Sequence, residues 1–311
     1  MVERILVPLD GSSEAEEAIP YATALLPDGR EAALLRVVPD VESPWTGLRE
    51  TLAPPPVGAD DSELVAARAA LDAVPARFPE ARVHWTAEVV RGDPAETIVR
   101  FAQSLGADLI VMTTHGRDAV GRVLFGSVAD RVARSSAVPV LLARPGVPGA
   151  PPAAMTFRRI VAPLDGSEVA ETALPVAADL ARTLRVPIRL MRVVDPSMTV
   201  ARLAGIGYPG APISAELCQQ ALNDVREDAR QSLAAAAARL TAEGLQATWT
   251  VTDGSPYFAI ADATEPGDLL VLSSHGRSGV LRWALGSVAE KLVRTAPAPV
   301  VLVPAPGRGS A

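Results

Sequence analysis

Two stretches of this chain nearly repeat each other. Arg4 to Ser12 reads RILVPLDGS and Arg159 to Ser167 reads RIVAPLDGS, identical at seven of nine positions and 155 residues apart. Further on, Thr114 to Pro145 aligns with Ser274 to Ala305 at a spacing of 160, with 13 of 32 positions identical, among them His-Gly-Arg and Gly-Ser-Val-Ala. Two signatures recurring in the same order imply two copies of one domain. The 311 residues suffice for both, since about 150 residues can bury a core. Between the copies runs PGVPGAPPAAM, Pro145 to Met155, whose proline, glycine and alanine read as an exposed linker. This places the first domain at 1–145, a linker at 146–156, the second domain at 157–305 and a tail at 306–311.

Within each copy, short apolar runs alternate with helical stretches. The runs ILVPL, AALLRVV, WTAEVV, DLIVM and PVLLA are answered by IVAPL, IRLMRVV, TWTVT, DLLVL and PVVLV. Near-continuous apolar runs are what strands buried on both faces require. Helical segments such as PAETIVRFAQSL and SVADRVARSS lie between them. The alternation predicts two tandem doubly wound α/β domains, Rossmann-like, each with a five-stranded parallel sheet and right-handed crossovers. Pro20 and Pro175 fall inside the first helix of each copy, and their recurrence suggests a tolerated bend rather than a break.

Composition removes several classes of function. A net charge of −7 and a pI near 5.1 provide no broad positive field for nucleic acid or an anionic membrane. Lys291 is the sole lysine and follows Glu290 rather than a phosphate-loop glycine, which excludes a Walker motif. Cys218 has no partner for an internal disulfide, and with three scattered histidines it makes no transition-metal site. Glu3 and Arg4 interrupt the N-terminus, and no apolar run reaches the roughly 18 residues of a membrane span. A soluble, cytoplasmic protein is expected.

Ligands of open α/β sheets bind beyond the carboxyl ends of the strands. There the sequence places Asp10-Gly11-Ser12 and Asp165-Gly166-Ser167 after the first strand of each copy. After the fourth strand it places Thr113-Thr114-His115-Gly116-Arg117 and Ser273-Ser274-His275-Gly276-Arg277. Ten residues beyond Gly116 and Gly276, Gly126-Ser127 and Gly286-Ser287 open the last helix. Backbone N–H groups at a helix start, a serine hydroxyl and a close-approach glycine suit an anion. Ser127 to Asp130 and Ser287 to Glu290 also fit a plain capping box. The spacing of ten, held in both copies, is more than capping requires.

The pattern resembles the universal stress protein family in its tandem form, whose signature is glycine, two residues, glycine, nine residues, then glycine with serine or threonine. Gly116 with Gly126-Ser127 and Gly276 with Gly286-Ser287 match its later parts, while Thr113 and Ser273 stand in place of its first glycine. The resemblance covers nearly the whole chain and implies an adenine nucleotide alpha hydrolase-like fold that binds ATP, with or without magnesium. By it, Asp10 and Asp165 approach the adenine or ribose, and the backbones of Val37 and Val193 read the adenine edge. Gly116, Gly126, Ser127 and Val128, with Gly276, Gly286, Ser287 and Val288, cradle ribose and phosphates. A hydroxyl of Thr113 or Ser273 narrows the backbone approach but offers a hydrogen bond.

The function so implied is a stress-response regulator or sensor with one nucleotide per domain. The copies would pair as an internal pseudo-dimer, and homodimerisation is a further expectation. A nucleotide-free scaffold and a slow magnesium-dependent ATPase stand as alternatives, the latter lacking an evident catalytic base. The recurring Arg117, Arg122, Arg277 and Arg282 lie outside the core set. Gly205 to Gly210 spells GxGxxG but follows no strand directly, and it reads as a loop. His115 and His275 stand beside hydroxyl residues, but sequence neighbours seldom face each other, so loop hydrogen bonding rather than a hydrolytic triad is expected.

Overall fold

The structure, a computed structural model, describes residues 2–39, 59–79, 81–114, 126–145, 156–206, 214–275 and 285–305. Described residues up to 145 form one compact unit and those from 156 the other. In the first, β1 (Arg4–Pro8), β2 (Glu31–Val38), β3 (His84–Arg91), β4 (Leu109–Thr113) and β5 (Val140–Ala143) make a sheet in the order β3-β2-β1-β4-β5. In the second, β6 (Arg159–Pro163), β7 (Ile188–Val194), β8 (Ala247–Asp253), β9 (Asp268–Ser273) and β10 (Val300–Val303) repeat it as β8-β7-β6-β9-β10. Every pairing within the two units is parallel. Strand order reverses beside β1 and β6, so a crevice opens there at the carboxyl ends.

Burial follows position. All of β4 and β9 is buried, including Asp268, whose carboxylate is matched by Arg159 at 2.9 Å. The runs that became β3 and β8 are not covered on both faces: these are the outer strands, half exposed, with Trp249 on the surface. Their apolar character reflects β-propensity more than burial.

The first unit carries helices α1 (Ser13–Glu16), α2 (Ala18–Leu25), α3 (Ala59–Asp72), α4 (Pro94–Leu105) and α5 (Ser127–Ser135). The second carries α6 (Glu168–Glu171), α7 (Ala173–Leu184), α8 (Pro196–Ile206), α9 (Ala215–Ala242), α10 (Pro256–Ala263) and α11 (Ser287–Thr295). The expected bend at Pro20 and Pro175 is instead a break, with Glu17 and Thr172 separating a one-turn helix from the longer one. The reason is local. Proline lacks the N–H and its ring meets the carbonyl four residues back, so the helix restarts with proline in its first turn, where no N–H bond is required.

In the second unit α7 packs on β6 and β9, while α9 lies on β7 and β8. α9 has 28 residues, about 42 Å at 1.5 Å per residue, whereas its buried residues, Ala229, Leu233, Ala236, Ala237 and Leu240, all lie in the second half. The first half therefore reaches beyond the sheet, where α8 packs against it. Gly205 and Ile206 close α8, so the GxGxxG stretch starts inside a helix rather than in a loop, and its other residues lie outside those described. Among the described residues no helix is long and apolar enough to cross a membrane.

Asp93 illustrates how the helices are fixed. Its carboxylate accepts from Glu96 N at 2.9 Å at the start of α4 and from Arg131 of α5 at 2.7 Å. The Arg131 guanidinium, and then the Glu96 N–H, hold this carboxyl below the usual range. A folded-state pKa below the unfolded one stabilises above the unfolded value, about 3.9 for Asp, and the contribution is lost as pH falls through the folded value. Urea unfolding of Asp93→Ala is expected to show a loss of about 1 kcal/mol at pH 7, with the gap to wild type narrowing below about pH 4.

Candidate functional site

Each site begins with the chain leaving its first strand. Asp10 Oδ1 accepts from Ser12 N at 2.9 Å and from the Ser12 hydroxyl, and Ser12 Oγ in turn caps α1 by accepting from Ala15 N at 3.1 Å. The second copy repeats this: Asp165 Oδ1 accepts from Ser167 N at 2.9 Å and Ser167 Oγ at 2.6 Å, and Ser167 Oγ accepts from Ala170 N at 3.1 Å. Both aspartates therefore form the turn. Asp165 lines a cavity as well.

Val37 and Val193 owe their position to unequal strand lengths. β1 pairs with β2 only as far as Pro8 and Leu35, and β6 with β7 only as far as Pro163 and Met191. In a parallel sheet successive residues turn their backbone groups to opposite sides. Leu35 and Met191 accept from Leu9 N and Leu164 N at 2.8 and 2.7 Å, whereas Val38 and Val194 accept from Gly92 N and Gly254 N on the other side. Val37 and Val193 therefore direct N–H and C=O to the side where the first strand has already ended. A flat ligand edge with one donor and one acceptor matches them.

Thr113 and Ser273 end β4 and β9 as buried side chains, and the Ser273 hydroxyl donates to the His275 carbonyl. The next residues fasten the loop to the last helix. Thr114 N donates to Ala143 O and Gly126 N to Thr114 O, at 2.8 and 2.7 Å, and Ser274 N to Val303 O and Gly286 N to Ser274 O, at 2.7 and 2.8 Å. His275 is buried with Nδ1 3.0 Å from Ser274 Oγ, so these sequence neighbours do face each other, as partners within the loop. His84 is exposed at the start of β3. His115, Gly116, Arg117 and Arg122, with Gly276, Arg277 and Arg282, lie outside the described residues.

At the last helix the capping-box alternative fails. Gly126 and Gly286, not the serines, are the N-caps, so Ser127 and Ser287 are the first helical residues. Asp130 and Glu290 turn forward to Arg134 and Arg294, at 2.8 and 3.0 Å, instead of back to a cap. A glycine cap has no side chain to accept from the N–H groups that follow it. The start of α5 and of α11 is thus left donor-rich.

In the second unit these parts surround one cavity of about 540 Å³, lined by Asp165, Val193, Ser273, Gly286, Ser287 and Val288. Aliphatic side chains of α8 and α9, among them Leu203 and Val225, form its outer wall. Asp195, at the start of α8, also lines it; the Ser197 hydroxyl and then the N–H groups of Met198 and Ser197 hold its carboxyl low against the opposing effect of burial. The sequence reading missed Arg192, buried at 4% exposure and on the cavity wall. Its signal was present in the Arg-Val-Val that recurs at Arg36 and Arg192, just before the valines. Among the described residues no three His, Cys, Asp or Glu side chains cluster to hold a metal ion.

Tandem doubly wound domains with the special residues gathered at the strand-order reversal define a class of α/β proteins built around a crevice. The universal stress protein family matches twice, at residues 1–144 and 156–304, and the chain belongs to that family. A universal stress protein of Methanocaldococcus jannaschii is 35% identical over 148 residues, 46% of this chain and 83% of the relative. One from Mycobacterium tuberculosis is 25% identical over 249 residues, 78% of this chain and 77% of its own. A crystal structure of a universal stress protein from Archaeoglobus fulgidus shares the fold at a TM-score of 0.63 and 19% identity, covering 97% of this chain and 96% of that one.

The turn glycine offers a check on this geometry. Gly166 has φ of 80°, and a Cβ there would lie 2.7 Å from Arg192 Cζ, whereas Gly29, with φ of 77°, has nothing within 4 Å of the same position. Gly29→Ala is expected to cost roughly 1–2 kcal/mol for its left-handed backbone alone. Gly166→Ala is expected to cost more in the same thermal unfolding assay, because the guanidinium must also be displaced.

Proposed function

We propose that each unit binds an adenine nucleotide, ATP in the first instance, and that the chain acts as a stress-response regulator or sensor whose contacts depend on occupancy. The observation that carries this reading is the glycine-capped start of α11 opening on the 540 Å³ cavity. Its N–H groups and the Ser287 hydroxyl suit phosphate. At the other end of the reading, the outward-facing backbone of Val193 suits the edge of a base, and the aliphatic wall suits its faces. Asp165, between them, suits ribose. Membership of the universal stress protein family supports the assignment. In the first unit Asp10, Val37, Thr113, Gly126, Ser127 and Val128 take the equivalent roles, and Gly116 and Gly276 belong to the same proposal by their place in the motif. Magnesium, where present, would ride on the phosphates rather than on protein side chains.

One observation favours a second reading. Buried hydroxyl residues, Thr113 and Ser273, stand where the family motif has its first glycine, which fits a nucleotide-free scaffold better than an open phosphate loop. Aspartate at the N-caps separates the two. It is itself a good cap, so the helix keeps or gains stability, while its charge repels phosphate. Calorimetric titration of ATP, with and without magnesium, is expected to give about two sites in wild type, about one in Gly126→Asp or Gly286→Asp, and none in the double variant. Binding retained by the double variant would place the phosphates elsewhere, and no binding by wild type would leave the scaffold reading.

A further inference from the structure

Arg192 is a cation buried on the cavity wall and held by an exposed counter-ion. Its Nη1 donates to Ser232 Oγ at 3.0 Å and its Nη2 to Asp228 Oδ2 at 2.9 Å, both on α9, where Asp228 is 68% exposed. Among the described residues these are its hydrogen-bond partners, and they engage two of the five donors of a guanidinium. The head group lies against the Asp165-Gly166 turn, so close that a Cβ at 166 would stand 2.7 Å from Arg192 Cζ. Its strand neighbour Val193 directs backbone groups to the side beyond the end of β6, and both residues line the cavity. Asp228 remains mostly in water, so the buried guanidinium is only partly compensated by its counter-ion.

Building on the nucleotide reading of this same site, we propose that Arg192 is a ligand-contacting residue of the second site, donating to an acceptor on the base or ribose of the bound nucleotide. Its position beside Asp165 and Val193 assigns it to the nucleoside end, away from the phosphate cradle at Gly286. Asp228 and Ser232 orient the fork and leave it able to turn donors to the cavity.

The test uses the full chain carrying Gly126→Asp, so that the second site alone is read, with ATP and adenosine as probes in calorimetric titrations. Arg192→Met is expected to weaken both ligands by about tenfold or more, the effect of losing a hydrogen bond from a charged group. Asp228→Asn, which removes the counter-ion but keeps the guanidinium, is expected to leave both affinities within about twofold. Thermal unfolding of each variant shows whether it is folded, and Arg192→Lys replaces Arg192→Met if the latter is not. A loss on ATP but not on adenosine would move the contact to the phosphates and overturn the assignment. Equal losses in Arg192→Met and Asp228→Asn would make Arg192 a brace for α9 and overturn it too. Unchanged binding in Arg192→Met overturns this inference alone, whereas no ATP binding by the Gly126→Asp parent, with wild type also silent, overturns the nucleotide reading beneath it.

Discussion

Parallel pairing is the constraint from which the rest follows. When all strands of a unit run the same way, every connection must cross the sheet, and every carboxyl end lies along one edge. There the backbone leaves its ladder, and polar groups must find partners in turns, caps or a ligand. The stop of β6 at Pro163, while β7 runs on to Val194, is a local case. It turns an ordinary strand residue, Val193, into a donor and acceptor aimed at the crevice. The same holds for Val37 past the end of β1. Nothing in either valine's side chain announces this.

Much of the fold could be read from the chain because its evidence was local and duplicated. Five apolar runs per copy became five strands, and PAETIVRFAQSL is α4 to the residue. What escaped was geometry that depends on neighbours. The runs at β3 and β8 resemble interior strands by composition, yet lie at the outside, since β-branched and aromatic residues serve both places. Pro20 and Pro175 break a helix whose apolar pattern continues across the interruption, so periodicity alone overlooked it.

The site shows the same division. Asp165, Val193, Ser273, Gly286, Ser287 and Val288 are drawn from four separate stretches of sequence and line one cavity. The serine of each Gly-Ser pair also fitted a cap because Ser-x-x-acid is a one-dimensional pattern. It does not say which residue has the extended backbone, and in both copies that is the glycine. Arg192 went unnoticed because the recurring Arg-Val-Val does not say that the arginine is buried or where its head group goes. Its meaning comes from α9, some 36 residues later, which supplies Asp228 and Ser232.

The helix break at Glu17 and Thr172 sets how the lip of each crevice can move. The turn of Asp10 or Asp165 is stapled through Ser12 or Ser167 to a helix of four residues, and the longer helix beyond begins its own hydrogen-bond ladder. Proteins open locally in roughly contiguous units, from fraying segments up to the core. α6 is a single turn with one buried residue, Ala170, whereas α7 keeps its buried alanines and leucines on the sheet. The lip of each crevice is thus built from a turn and a single helical turn, set apart from the longer helix that lies on the sheet.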